Sequence, residues 1–599
     1  MNNRSPLFLA MLPLLGTASL SHADDNLAPV VVTATRTAQS ADEALASVTV
    51  ITRDDIERSQ AQTLPDLLTG LAGIDITSNG GYGKATSIYM RGTNPGHTLI
   101  LIDGVQIGSA TLGSASPQYL PLGEIDHIEI VRGPQSALYG SDAIGGIIQI
   151  FTRQGGDKTR FNASAGAGQM NTRTADAGVS SNIGKLSYHA QASRFSSDYI
   201  DVQGAPDDRD GYNNNAGSFN AKYRVSDTAG VEANVLRANG VNQYDSLYDP
   251  TAFLESHFIQ QVAGARVYLA PTTHWQLSLR SGESRDYSTE YRNGVEGNQF
   301  NTRRVSSSLQ NDITLSSSDL LTAGVDRQVD NVASTVSYAE TSRANTGLFV
   351  QNQWQGGGHS LTVGARRDDN EAFGLHTTGH IAWGYRFADN LRLMASYGTG
   401  FKAPSFNDLY YPGYGIATLK PEESKGGEIG LSQSAGGTHW SVHYFNNRIT
   451  NLISFDAATF GPNNIGSARI QGFEIEAGVQ SQDWRLNGTA TLQDPRDANT
   501  GKLLARRASQ TVRFDLDRLS GRFTWGPSIT LVGDRYDDQN NTVLLRGYTL
   551  ANLHAAYQLR PGLSLQAKVD NLFDQSYTNT AGYNMPGRVG YISLHYMTE

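Results

Sequence analysis

Apolar and polar residues alternate along most of the chain after about residue 154. In the segment from Trp484 to Leu492, for example, every second residue is small or apolar and the residues between them are polar or charged. A period of two predicts β-strands with one apolar face. A soluble β-sandwich would have the same pattern. The alternation continues over about 445 residues in segments of nine or ten, however, and tilted strands of about that length cross a bilayer.

The length of this alternating region predicts the size of a barrel. Only a closed barrel satisfies the backbone hydrogen bonds of strands in lipid. About 445 residues, at roughly 20 for each strand with its connection, give about 22 antiparallel strands. A barrel of that size has a wide lumen, which must be filled if the membrane is not to leak.

Residues 37–153 have a different, mixed pattern. Strands are predicted at 48–52, 98–103, 128–131 and 147–151, and short helices at 54–59 and 64–71. A compact α/β domain of this size would fill the lumen. The predicted fold is therefore mainly β: a 22-stranded antiparallel transmembrane β-barrel over 154–599, with an N-terminal α/β plug domain, 37–153, inside it.

The N-terminus has the pattern of an export signal. Residues 7–20 form an apolar stretch of 14 residues after Arg4, which is too short for a transmembrane helix and typical of a signal peptide. Ser21-His22-Ala23 is the predicted cleavage site, so 1–23 would be the signal peptide and 24–36 the segment before the plug. No later apolar run reaches 18 residues, which argues against transmembrane helices.

Composition excludes several functions. The absence of cysteine excludes thiol catalysis, disulfides and thiolate metal sites. The formal net charge of -10 argues against a nucleic-acid partner. The sequence has no Walker A, HExxH or GxSxG motif, so an enzyme is not predicted.

Several motifs resemble those of TonB-dependent outer-membrane receptors. They are the plug segments 128–146 (IEIVRGPQSALYGSDAIGG) and 88–92 (IYMRG), and the barrel segments 401–404 (FKAP), 419–422 (LKPE), 472–474 (GFE) and 571–574 (NLFD). Within that family, segments 73–94 and 141–146 are most similar to those of the cobalamin (vitamin B12) receptors.

The resemblance implies active uptake of cobalamin by a barrel in the lipid of the bacterial outer membrane, driven by the TonB protein on the periplasmic side. The alternative is a ferric-siderophore or haem receptor that uses the same machinery. Haem is disfavoured, because the segment after Pro404 lacks the Asn-Pro-Asn-Leu and His pattern of haem receptors. A passive porin or adhesin belongs to a different class and would lack a segment that contacts TonB.

That segment is predicted just after the signal peptide. It is extended and rich in β-branched residues, a composition suited to adding a strand to a partner's sheet. The resemblance identifies it as the TonB box, with residues Ala28, Pro29, Val30, Val31, Val32, Thr33 and Ala34. An ordinary first strand of the plug is the alternative.

Two plug arginines and two barrel carboxylates are expected to pair. Alternation places Glu428 and Glu474 on the lumen side of their strands, and buried Arg91 and Arg132 would need partners. The resemblance implies plug–barrel ion pairs among these four residues. The alternative is four solvated lumen charges.

Two acidic loops are candidates for a calcium site. Carboxylates crowded on neighbouring loops repel each other unless a hard cation binds, and calcium accepts six to eight oxygens in irregular geometry. The resemblance assigns calcium to Asp201, Asp208, Asp210, Tyr244, Asp245 and Glu255. Pro206 stands where the family has a ligand, and solvated surface carboxylates are the alternative.

The ligand contacts expected from the resemblance lie on plug loops and on barrel loops. They are Ala85, Ser87, Asn94, Leu112, Gly113, Ser246, Arg506 and Arg507. Most are small and uncharged, which suits a large, nearly neutral ligand. Alternation turns Arg507 inward, and loop packing is the alternative role for all eight.

Overall fold

The computed structural model describes residues 30–204, 208–387, 390–456, 459–464 and 466–598. Ala28, Pro29, Pro206 and the predicted signal peptide lie outside these residues. Among the described residues, no helix combines the length and apolar character needed to cross a membrane.

The plug is a small mixed domain built on one sheet. Its strands are β1 (Val30–Val31), β2 (Gln39–Ser40), β3 (Val48–Ile51), β4 (Ile74–Ser78), β5 (Thr86–Met90), β6 (Thr98–Ile102), β7 (Val105–Gln106), β8 (Ile125–Arg132) and β9 (Gly146–Thr152). Its helices are α1 (Arg53–Ser59), α2 (Leu64–Leu68) and α3 (Ser136–Tyr139). The five-stranded sheet has the order β3-β8-β9-β6-β7, in which only β6 and β9 are parallel.

The plug has its own apolar core. Strand β6 is buried along its whole length, as a continuous apolar run predicts. Ile100, Ile128 and Ile148 belong to a buried cluster in which Val262 is the one barrel residue among the described side chains. Because almost all of this core lies within the plug, its burial does not depend on contact with the barrel wall.

The alternating region forms a closed barrel of 22 antiparallel strands, as predicted. The strands are β10 (Arg160–Gly168), β11 (Arg173–Ile183), β12 (Leu186–Ser197), β13 (Tyr212–Ser226), β14 (Ala229–Tyr244), β15 (Leu254–Thr272), β16 (Trp275–Arg292), β17 (Val295–Ser316), β18 (Asp319–Ser334), β19 (Ser342–Gly356), β20 (His359–Asn370), β21 (Gly374–Arg386), β22 (Leu391–Lys402), β23 (Glu422–Ala435), β24 (Thr438–Thr450), β27 (Ser467–Gln480), β28 (Trp484–Asp497), β29 (Gln510–Ser520), β30 (Phe523–Val532), β33 (Tyr548–Arg560), β34 (Leu563–Asp570) and β35 (Val589–Met597). Strand β10 pairs with β35 and closes the barrel.

Among the described residues, the loops add two hairpins and one helix. These are β25 (Ile453–Asp456) with β26 (Gly461–Asn464), β31 (Arg535–Tyr536) with β32 (Leu544–Leu545), and α4 (Phe406–Tyr410). Ser405 caps α4, because its side chain accepts a hydrogen bond from the Asp408 amide.

The two ends of the barrel differ in their connections. One end has tight turns such as 184–185 and 436–437, whereas the other has long segments such as 403–421 and 571–588. Short turns are typical of the periplasmic end and long loops of the cell surface. Many strands are longer than the predicted nine or ten residues, up to 22 in β17, because they continue beyond the bilayer.

Apolar side chains cover the outside of the barrel. Leu279, Leu348 and Ile429 are 51%, 62% and 50% exposed, although each lies within a strand. A soluble sandwich would bury such residues, so the sandwich alternative is wrong and the apolar face contacts lipid.

All six tryptophans lie at the periplasmic end of the barrel. Trp275 and Trp484 begin β16 and β28, and Trp354, Trp383, Trp440 and Trp525 lie within four residues of the periplasmic ends of their strands. Indole side chains concentrate at membrane–water interfaces. This girdle therefore marks the inner edge of the lipid-facing band.

Candidate functional site

Arg91 connects the plug to two barrel strands. Its guanidinium lies 2.5 Å from a Glu428 oxygen on β23 and 2.7 Å from a Glu474 oxygen on β27, and a second nitrogen donates to Glu474 at 2.8 Å. All three side chains are buried. His443 also contacts Glu428, at 2.8 Å. The charges are thus paired and hydrogen-bonded, as burial requires.

Arg132 has a different partner from the two carboxylates named from the sequence. It pairs with Glu476 at 2.9 Å and donates to the Ala72 carbonyl and the Ser47 hydroxyl. Both oxygens of Glu474 are already held by Arg91, so Arg132 uses the next inward carboxylate on β27. The period of two, extended by one more step, would have identified Glu476.

The predicted TonB box folds back against the plug. Val30 and Val31 pair with Ser40 and Gln39 in a short antiparallel ladder, and Val31 is fully buried. The next two amides donate to the Glu129 carboxylate. This segment therefore has its own hydrogen-bond partners in the resting protein.

Arg36 anchors the end of this segment to the barrel wall. It pairs with Asp326 on β18 at 2.9 Å, and Arg366 on β20 contacts the same carboxylate at 2.5 Å. The guanidinium also stacks on Tyr139 and Phe349. Sequence reasoning missed this contact because it joins three distant segments.

Three of the six predicted calcium ligands come together. Carboxylate oxygens of Asp201, Asp210 and Asp245 all lie within 4.8 Å of one another at the cell-surface end. One Asp245 oxygen is buried without a hydrogen-bond partner. Burial first, and then repulsion from Asp210, raise the pKa of Asp245 above its ordinary value. An oxygen-only cluster with an unpartnered carboxylate oxygen fits calcium.

The other three predicted ligands lie outside this cluster. The Tyr244 hydroxyl donates to Glu290, and Glu255 accepts from Gln243. Asp208 is near enough to raise the pKa of Asp245 but is not one of the three grouped carboxylates. Tyr244 and Glu255 differ from the expectation because partners on other barrel strands occupy their polar atoms: Glu290 on β16 binds Tyr244, and Gln243 on β14 binds Glu255.

Lys84 reaches the same cluster from the plug. Its ammonium donates to the Asp210 carbonyl at 2.9 Å, the Asn242 side chain at 3.0 Å and the Tyr82 carbonyl at 3.1 Å. Burial lowers the pKa of Lys84 to about 7, although Asp210 and Asp245 oppose this shift. No sequence pattern predicts this contact, because it depends on the position of the plug inside the barrel.

The predicted ligand contacts divide into exposed and structural residues. Ala85 and Leu112 are exposed on the plug, Leu112 by 65%. Arg507 is buried and donates to the Gly92 carbonyl and the Asn94 side chain, so it holds a plug loop. Arg506 pairs with Asp537 at 2.9 Å. The remaining residues, Ser87, Gly113 and Ser246, are partly buried.

Exposed apolar side chains on the barrel loops were not predicted. They include Tyr248, 96% exposed, together with Leu247, Phe455, Phe460 and Phe573. Only the position of these residues in surface loops, next to turn residues, distinguishes them in the sequence from lipid-facing residues.

A cavity of about 390 Å³ separates part of the plug from the barrel wall. Val32, Arg36, Gly104, Arg280 and Asp326 are among its lining residues, so it lies beside the folded-back segment. Its walls are rich in charged side chains.

Sequence comparison identifies the family. The model of the family described as "TonB dependent receptor-like, beta-barrel" matches residues 149–572, and that of "TonB-dependent Receptor Plug Domain" matches 40–147. The chain is a TonB-dependent receptor. It belongs to the bacterial outer membrane, in a family of receptors rather than enzymes.

Curated relatives match this receptor over nearly its whole length. It is 32% identical to "Vitamin B12 transporter BtuB" of Photobacterium profundum, over 98% of this chain and 99% of the relative. It is 33% identical to the protein of the same name from Vibrio vulnificus, over 96% and 95% of the two chains.

Solved structures share the receptor's fold at lower identity. The ferric enterobactin receptor PfeA of Pseudomonas aeruginosa, in its G324V form, superposes with a TM-score of 0.81 at 20% identity, over 95% of this chain and all of the other. The siderophore receptor PirA of Acinetobacter baumannii has a TM-score of 0.79 at 19% identity, over 93% and 99% of the chains.

Proposed function

We propose that this receptor binds cobalamin at the cell surface and transports it to the periplasm with energy supplied through TonB. The observation that carries the proposal is the 32–33% identity, over nearly complete chains, to proteins named vitamin B12 transporters. The siderophore receptors share the fold at 19–20% identity, a level at which a fold does not imply a ligand. A ferric siderophore or haem remains the alternative cargo.

The chemistry of the ligand face supports a large, nearly neutral cargo. Ala85 and Leu112 of the plug and Tyr248 of the barrel are exposed and uncharged. Of the two candidate arginines, Arg507 is engaged with the plug and Arg506 with Asp537. Apolar contact and small polar groups suit a corrinoid, which has an apolar body edged by amides.

The same contacts support a stepwise release of the plug. TonB would first have to displace Val30 and Val31 from β2, and strand addition to TonB would replace the lost hydrogen bonds. The pull would then reach Arg36 and its Asp326 contact. Because the plug occupies the lumen and is bonded to its wall, passage of a corrinoid requires the plug to move. The internal apolar core lets it move without exposing that core.

Calcium is part of this proposal. Asp201, Asp210 and Asp245 would hold the ion between two surface loops, beside Lys84. Calcium would supply positive charge that neutralises three crowded carboxylates. The ordered loops would then present Ser246 and Tyr248 to the ligand.

A titration of the purified receptor tests the cargo. We expect saturable binding of cyanocobalamin by isothermal calorimetry, and no competition from a ferric siderophore or haem. Leu112→Asp should weaken binding at least tenfold, whereas Val295→Asp, which is 68% exposed at the tip of the β16–β17 hairpin, should not. Tight binding of a siderophore or haem, with none of cyanocobalamin, would overturn the proposal.

A further inference from the structure

Four basic residues form a continuous row on the outside of the barrel. The backbone register pairs Lys425 with Arg448, Arg448 with Arg469, and Arg469 with Arg496, across β23, β24, β27 and β28. All four side chains are exposed. Their chain neighbours Ser424, Ile449 and Ile470 are buried toward the lumen, so the row faces away from it.

The row lies at the outer edge of the lipid-facing band. Each residue is ten to twelve positions from the periplasmic end of its strand. Tilted strands of that length rise about 25 Å, the height of the apolar band. On the periplasmic side of the row, Ile429, Val442, Phe473 and Ile475 point outward and are 37–50% exposed.

Few carboxylates of the protein neutralise the positive charge of this row. Side chains directly opposed across strands lie about 5 Å apart, and like charges there are destabilising. Arg496 pairs with Asp494 at 2.7 Å, and Arg469 donates to Gln471. Within the described part of the chain, no carboxylate makes an ion pair with Lys425, Arg448 or Arg469.

A second pair of opposed arginines provides an internal comparison. Arg285 and Arg303 are directly paired on the outward face of β16 and β17. There, Glu283 contacts both of them at 2.6 Å. A carboxylate therefore neutralises the pair Arg285–Arg303, whereas none forms an ion pair with Arg448 or Arg469 among the described residues.

We infer that the row Lys425–Arg448–Arg469–Arg496 binds the phosphate groups of an outer-leaflet lipid whose headgroup carries two or more phosphates. Arginine binds phosphate through two parallel hydrogen bonds, and its charge is retained at the membrane surface. Three strand spacings make the row roughly 14 Å long, which accommodates two phosphates. The acyl chains would lie against Ile429 and Phe473. The inference does not depend on the cargo.

Native mass spectrometry of the full receptor in detergent tests this site, with bisphosphorylated lipid A as the probe. We expect Arg448→Gln/Arg469→Gln to lower the lipid affinity at least tenfold. The matched double variant Arg285→Gln/Arg303→Gln removes the same charge at an opposed pair and should stay within twofold of wild type. The single variant Arg448→Gln, with several-fold weaker binding, serves if the double variant does not fold.

Four outcomes would overturn the inference. The first is equal lipid binding by wild type and Arg448→Gln/Arg469→Gln. The second is equal binding of a phosphate-free lipid with the same acyl chains. The third is binding of inorganic pyrophosphate as tight as that of the lipid, which would identify a soluble anion instead. Weakened binding in both double variants alike would also contradict it, because the effect would then be general charge.

Discussion

At the scale of single residues, Arg91 joins the plug to the barrel most directly. Replacing it with alanine leaves Glu428 and Glu474 buried and without their main partner, and breaking a buried pair in this way costs about 3–5 kcal/mol. We expect Arg91→Ala to lower the urea midpoint for release of the plug, measured by hydrogen exchange of plug amides.

The control for this prediction is an exposed ion pair. Arg292 contacts Asp249 at 2.7 Å but is 65% exposed, and such pairs contribute about 0–1 kcal/mol. Arg292→Ala should leave the midpoint nearly unchanged. If the two variants behave alike, the Arg91 contacts do not hold the plug.

The second residue-scale prediction concerns calcium. If the ion orders the loops that close over the ligand, calcium must raise cobalamin affinity, and cobalamin must raise calcium affinity by the same factor. Ordering a loop residue costs about 1–2 kcal/mol of conformational entropy. A tenfold change in affinity corresponds to only about 1.4 kcal/mol. We expect at least a tenfold loss of cobalamin affinity with a chelator, measured by calorimetry.

Asp210→Ala/Asp245→Ala should remove the calcium effect, because both residues belong to the cluster. Glu255→Ala should preserve it, since Glu255 is held by Gln243 outside the cluster. An equal affinity with calcium and with chelator in the wild type would leave these aspartates as solvated loop charges.

At the scale of elements, the proposed mechanism requires the short strand β1 to exchange partners during transport. Proline at position 31 removes an N–H donor from the strand that would pair with TonB. We expect Val31→Pro to abolish energised uptake in cells while purified protein binds the ligand normally. Val31→Thr keeps the amide and the β-branched side chain, so it should transport. Normal uptake by Val31→Pro would remove the TonB-box assignment.

The strands themselves could be predicted from the sequence, and their contacts only in part. Lipid on one side and lumen on the other impose a period of two, which placed Glu428 and Glu474 correctly on the inward face. Contacts such as Lys84 with Asp210, or Arg36 with Asp326, depend on the register between a plug loop and distant strands. No local pattern encodes that register. The period of two places Glu476 on the inward face with Glu474, but it does not say which of the two carboxylates Arg132 contacts.

At the scale of the whole molecule, the packing inside the plug differs from the packing between the plug and the barrel wall. The plug has an internal apolar core. Ion pairs and hydrogen bonds to the wall hold it in the lumen, together with smaller apolar contacts such as Ile144 with Phe445 and Ile470. The polar contacts can be exchanged for water, whereas opening the apolar contacts exposes apolar surface and costs free energy. On the proposed mechanism, the plug keeps its internal core while its contacts with the barrel wall are exchanged.

The placement of the six tryptophans has an optical consequence. Every indole lies at the periplasmic rim of the barrel, and the plug contains none. The intrinsic tryptophan fluorescence therefore reports when the periplasmic rim of the barrel reaches the membrane–water interface. Brominated lipids at that interface would quench it. Because the plug contains no tryptophan, we expect its movement to leave the emission nearly unchanged. A spectrum recorded during refolding follows insertion alone, and the plug becomes visible only with a dye attached to it.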